Sequence, residues 1–568
     1  MHLVVAVLVI VAATGLSKKI GVAAPLLLVV VGAAISFIPG APEIDLDADF
    51  ILFVVLPPLL YAAAVNFPLI DFRRNLIPIA ALGFVLVIVS ALVIGFVLHW
   101  LVPGLSLAHA VAFGAVLSPT DAVSATSVAK RIGLPARVVT ILEGESLVND
   151  AAALVLMRTA IAAIASSVSF TSAIGHFASS TILAVAVGAV VGTVAVLVRR
   201  RFTQSAVLTT SISFVVPFIA YFPAEEIDAS GVIAVVTAGL IVGHQSVRTQ
   251  TVQLRLAEQT NWRTVQFLLE NGVFLLMGYQ LQHYIRDVAD DHYSIVNAIT
   301  LSLIVIGILI VLRIIFVFPL FGLVNARSRR IASGAVHDAR ARALERRRMR
   351  LQRHPAESAA RLEARIARRA AADRTFHATQ QLDWRSSLIV GWSGMRGVVT
   401  VAAAQALPAA TPYRSGLILG AFAVAAVTLL IGGLTLPLLA KALKVTGPSQ
   451  SREDAIRAII GDMTSAAEDL LDDPDLRRAD GSPFSEHALE WMRRAVRSQA
   501  DVARRLGTPT RRELTAEEFA ELRRLVLKVE RAALDDAAAS SNYDSGAIAD
   551  AETFLNTLEQ HDPDTPRG

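Results

Sequence analysis

The chain has 568 residues, 54% of them hydrophobic, with a mean hydropathy of +0.56 and a formal net charge of +4. A soluble domain of this size cannot expose so little polar surface, and the charge is too slight for a nucleic-acid binder. With no cysteine, disulfides, thiolate metal sites and cysteine nucleophiles are excluded.

A helix needs about 20 apolar residues to cross the hydrocarbon of a bilayer. Stretches near that length run from His2 to Leu16, Ile20 to Ile38, Phe50 to Val65, Leu76 to Leu101, His109 to Ala129 and Val138 to Ile164. They continue at Ile182 to Val198, Ala206 to Phe222, Ala229 to Val242, Trp262 to Tyr284, Ile299 to Leu323, Leu388 to Leu407 and Gly416 to Ala440. This predicts an all-α polytopic membrane protein with about 13 spans. The start, MHLVVAVLVI, has no basic leader region and reads as the first span.

The connections sort by charge. Lys18, Lys19, Arg73, Arg74, Lys130, Arg131, Arg137, Arg199 to Arg201, Arg248 and Arg255 follow odd-numbered spans, whereas PGAPEIDLDAD, FPAEEIDAS and RDVADD are acidic and follow even-numbered ones. Basic loops stay in the cytoplasm, so the N-terminus is expected outside and the C-terminus inside. Residues 1–444 then form a transmembrane domain with an Arg-rich cytoplasmic insert at 325–384, and 445–568 a soluble helical tail. The insert, with RRRMRLQRH, reads as a solvated connector or as a contact for anionic headgroups. The tail carries amphipathic patches such as EFAELRRLVLKVERAAL.

A charge inside a span costs about 2.5 to 3.5 kcal/mol, so each is a functional candidate. Here these are Asp121, Glu143, Glu145, Asp150, Arg158, Glu270, Arg313 and Arg396. In the fifth span, FGAVLSPTDAVSATSV, Pro119 removes a backbone donor beside Ser118, Thr120 and Asp121, which predicts a broken helix whose freed carbonyls and side-chain oxygens hold a hard cation. In the sixth, ILEGESLVNDAAALVL, Ser146 and Asp150 share one helical face, and Glu145 and Asn149 the adjacent stripe. Burial disfavours an ionised carboxylate, so a proton and a cation compete for Asp150. In the twelfth, GWSGMRGVVTVAAAQALP, three glycines around Arg396 predict a second interrupted helix, the pairing expected of inverted repeats.

LSPTDAV, LEGESLVND and GMRGVVTVA, in this order, resemble the bacterial sodium/proton antiporters of the NhaP and NHE type, and the likeness includes LPPLL in the third span and FLLMGYQL in the tenth. The resemblance implies two crossed broken helices in a core that moves as an elevator against a dimerisation domain of a homodimer. It assigns Asp150 as the carboxylate exchanging proton for sodium, with Thr120, Asp121, Ser146 and Asn149 helping to bind the ion. It also makes Glu145 and Arg396 a structural ion pair and gives Glu270 and Arg313 pairing roles. The Asn149–Asp150 pair implies electroneutral exchange, in service of pH and cation homeostasis at the plasma membrane. No cofactor is implied beyond the transported sodium ion and proton. Some relatives carry a Glu after LPPLL and an aromatic, where this chain has Tyr61 and then Ala62, which keeps potassium and lithium as alternative cargo.

Other classes lack their signatures. The Gly-x-Gly-Asp of intramembrane aspartyl proteases, the His-Glu-x-x-His of zinc enzymes and the TVGYG of potassium channels do not occur.

Overall fold

With no water in a bilayer core, each backbone donor and acceptor needs an internal partner, and a single chain of this composition meets that need with helices. The computed structural model describes residues 2–560 apart from 21–22, 40–47, 166–169, 203–204, 251, 292–293, 333–375, 377–380, 446–448, 474–475, 479–481, 503–515 and 541–544. The arginine-rich stretch RRRMRLQRH therefore lies outside the described residues.

The chain divides into two units, Met1–Asn325 with Leu382–Thr446, and Ala326–Gln381 with Gly447–Gly568. The first contains α1 (His2–Ile20), α2 (Ala24–Ser36), α3 (Ala48–Phe50), α4 (Leu56–Asn66), α5 (Leu69–Arg74), α6 (Leu76–Ala80), α7 (Leu86–Leu101), α8 (Leu107–Leu117) and α9 (Ala122–Arg131). It continues with α10 (Ala136–Ala165), α11 (Phe170–Arg199), α12 (Ala206–Glu226), α13 (Gly231–Thr249), α14 (Val252–Tyr279), α15 (Leu281–Asp290) and most of α16 (Ile295–Ala332). It ends with α17 (Trp384–Trp392), α18 (Val398–Gln405) and α19 (Arg414–Leu443). Among the described residues, six helices are long and apolar enough to cross a membrane, and five shorter ones are apolar.

Local chemistry sets the ends and irregularities. Ser106, Ser205, Ser230 and Asp383 cap α8, α12, α13 and α17 by accepting a backbone N–H three residues on. Pro57 and Pro58 remove two ladder donors, and the turn ahead of them, Ile51–Val55, widens so that the N–H of Leu56 reaches the carbonyl of Ile51. Helices α2 and α14 touch through glycine: a Cβ at Gly278 would lie 2.9 Å from the backbone nitrogen of Ala33.

The tenth predicted span differs from the structure. It was expected over Trp262 to Tyr284, but α14 begins at Val252, ends at Tyr279, and is followed after Gln280 by the separate α15. The polar first turns of α14 stay helical because their charges are paired: Glu258 binds Arg199 of α11 and accepts the hydroxyl of Ser213 from α12 at 2.6 Å. Trp262 Nε1 donates to that same hydroxyl oxygen at 2.9 Å. A hydropathy scan cannot see polarity neutralised by a distant helix.

The second unit holds α20 (Ser449–Leu471), α21 (Glu486–Val502), α22 (Ala516–Ser540) and α23 (Ser545–Gln560). Two apolar clusters join them, one around Ile459, Leu534 and Leu555, the other around Leu471, Met492 and Leu522.

Candidate functional site

Both interruptions occur where the sequence places them. Helix α8 ends at Leu117 and α9 starts at Ala122, while α17 ends at Trp392 and α18 starts at Val398. At the first break Pro119 has no N–H, Ser118 Oγ donates to the carbonyl of Gly114 at 2.6 Å, and Asp121 N–H would ordinarily return to Leu117. It donates instead to the carbonyl of Met395 in the second break, at 2.7 Å. The abandoned carbonyl of Leu117 accepts Arg396 Nε at 3.3 Å. The two breaks thus satisfy each other's backbone groups.

This close crossing needs glycine. A Cβ at position 397 would stand 2.7 Å from Asp121 Cβ and 3.0 Å from its carboxyl carbon, with no flexible tip to yield. Gly397→Ala is expected to cost roughly 1–3 kcal/mol by overpacking and to reduce transport far more than expression. Vesicle flux normalised to the amount of protein checks this.

Thr120, Asp121, Ser146 and Asp150 line one cavity of about 430 Å³. The wide turn Ile51–Val55 and α4 supply an apolar wall, α14 contributes Arg263, Gln266 and Glu270, and Lys130 and Glu143 form an ion pair of 2.7 Å in the lining. Among the described residues, no three acids or histidines converge as a multidentate metal site would require.

Asn149 does not line the cavity. It is buried, and its amide nitrogen donates to the carbonyl of Thr120 at 2.8 Å and to Thr120 Oγ1 at 3.0 Å, so it ties the first break to α10.

The expectation that Glu145 pairs with Arg396 is corrected. Both oxygens of Glu145 are taken by Arg313 of α16, at 2.5 and 2.8 Å, and Thr120 Oγ1 donates to the first of them at 2.7 Å. All these groups are buried. The Arg396 guanidinium instead donates to backbone, the carbonyls of Leu117 and Gly394, while its own backbone N–H donates to the side-chain hydroxyl of Thr428 at 3.1 Å. A cation at the C-terminal end of half-helix α8 complements the partial negative charge there, which gives Arg396 a role without a carboxylate.

Glu270 also resolves differently from the sequence, and Arg158 finds a partner. Glu270 has no ion-pair partner among the described residues; its Oε1 accepts Gln266 Nε2 at 2.6 Å. Arg158, two turns beyond Asp150, pairs with Glu225 of α12, whose other oxygen accepts the N–H of Gly231 at 2.9 Å. The polar knot of Arg199, Glu258, Ser213 and Trp262 was missed altogether. Its only sequence signal is two opposite charges flanking apolar spans.

The transmembrane family of sodium/hydrogen exchangers matches residues 4–442. An uncharacterized Na+/H+ exchanger of Mycobacterium tuberculosis is 27% identical over 505 residues, 86% of this chain and 84% of its own. A Na+/H+ antiporter of Aphanothece halophytica is 29% identical over 430 residues, covering 75% and 71%. In fold, the structure of a sodium proton antiporter from Methanocaldococcus jannaschii superposes with a TM-score of 0.55 at 16% identity, over 78% of this chain and 97% of that one. An all-helical fold with paired broken helices, and a family match spanning nearly all of the first unit, place this chain in the sodium/hydrogen exchanger family of membrane transporters.

Proposed function

We propose that this exchanger passes one sodium ion in one direction for one proton in the other, both by way of Asp150. The observation that carries this reading is the position of Asp150: it lines an open cavity beside the crossed breaks and has no basic side chain paired to it among the described residues. A carboxylate so placed holds a proton or a cation but not both, because neutralisation by one removes the charge that attracts the other. Asp121, Ser146 and Thr120 line the same cavity and are the further oxygens offered to the desolvated ion, with Asn149 acting through Thr120. No cofactor is needed.

Lys130, which belongs to a basic connection, lines the cavity together with Glu143 and Arg263. With basic loops inside, the cavity opens to the cytoplasm of a plasma-membrane protein whose N-terminus is outside and C-terminus inside. We further propose a homodimer serving pH and cation balance.

Sodium is the favoured cargo, with potassium and lithium as alternatives left by Ala62. In proteoliposomes under an imposed pH gradient, sodium is expected to dissipate the gradient at lower concentration than potassium, and clamping the membrane voltage to either sign is expected to leave the rate unchanged. A voltage-dependent rate would exclude one-for-one exchange.

A further inference from the structure

Two helices line the cavity with the same spacing of polar side chains. On α10 these are Glu143, Ser146 and Asp150; on α14 they are Arg263, Gln266 and Glu270, and all six line the same space. Positions i, i+3 and i+7 fall on one helical face, so each helix presents a polar stripe that ends in a carboxylate. In both, the outer member is charged. Glu143 is neutralised by Lys130 at 2.7 Å, and Arg263 is exposed.

The two terminal carboxylates are alike, and the buried Glu145 of α10 differs from both. Glu145 is consumed by Arg313, whereas neither Asp150 nor Glu270 has a basic partner among the described residues. Glu270 accepts one hydrogen bond, from Gln266, on Oε1. A carboxylate within a membrane helix is costly to keep. A purely structural acid at this place would be matched by a base, as Glu145 is.

We propose that Glu270 is a second cation-holding carboxylate of this cavity, which takes the alkali ion with part of its water shell and presents it to Asp150. This rests on Asp150 being the exchange site and adds a step before it. Gln266 orients Glu270 through Oε1 and leaves Oε2 for the ion. A station ahead of the exchange site raises the local cation concentration at Asp150. It therefore sets the apparent affinity for the cation and not the maximal rate.

The test is sodium-dependent proton flux in proteoliposomes for wild type, Glu270→Gln, Glu270→Asp and Asp150→Asn. Loss of one charge-assisted contact is expected to raise the KM for sodium about tenfold in Glu270→Gln with a kcat close to wild type, and Glu270→Asp to fall between. An unchanged KM, or a loss of kcat at unchanged KM, overturns the proposal. Should Glu270→Gln fail to fold, thermal shift with sodium chloride against choline chloride decides. Purified Asp150→Asn is expected to retain a sodium-specific stabilisation, and its absence overturns the second station. Inactive Asp150→Asn beside a wild-type KM in Glu270→Gln sinks this proposal alone. Active Asp150→Asn sinks the reading on which it rests.

Discussion

Asp150→Asn is expected to abolish sodium-driven proton movement in everted vesicles or proteoliposomes, with flux at the level of empty vesicles, while the protein still folds and inserts. Asparagine has nearly the shape of aspartate but cannot carry the charge that binds the cation, nor take up and release a proton. No structural partner is lost, because no hydrogen bond or ion pair ties the Asp150 side chain to the described residues, so stability should change little. Measured melting in detergent and measured flux should therefore separate: the first near wild type, the second absent. Exchange at a normal rate would remove Asp150 from the centre of the mechanism.

The largest loss of stability is expected at Arg313. Replacing it with Ala leaves Glu145 buried without its two-pronged partner, and breaking a buried pair from one side costs about 3 to 5 kcal/mol. The damage reaches the transport site directly, since Thr120 donates to the same carboxylate oxygen that Arg313 holds. Arg313→Ala should thus lower both the melting temperature and the yield of folded protein. A double change, Glu145→Leu with Arg313→Leu, should recover part of the stability, because no charge is left stranded. Arg396→Ala is expected to do less to Glu145 and more to the first break, where it uncovers the carbonyl of Leu117. If Arg396→Ala were rescued by neutralising Glu145 and Arg313→Ala were not, the assignment of partners would be reversed.

The features that could be read directly from the sequence were local ones. Pro119 between Ser118 and Thr120, and the glycines at 394 and 397, interrupt a helix wherever they occur, because they act on their own backbone. The stripe of Ser146 and Asp150 follows from helical geometry alone. Partnerships across the chain were another matter. Glu145 and Arg313 are separated by 168 positions, and nothing in either segment says which of two intramembrane arginines comes to the acid. The family resemblance implies Arg396, but the terminal carbonyl of α8 claims it. Helix α14 extends further than its hydropathy suggests for the same reason: Glu258 looks exposed until Arg199 is brought beside it. Glu270 is the converse case, an acid that looked structural because such acids are usually paired.

The exchange of backbone bonds between the two interrupted helices has a mechanical consequence. Asp121 N–H is spent on Met395, and the Leu117 carbonyl on Arg396, so neither strand of the crossing can shift without stranding a polar group of the other in a medium without water. Bending at this depth is therefore disfavoured, although a proline and several glycines would ordinarily make it a hinge. The crossing is stiff where its composition alone would make it pliant.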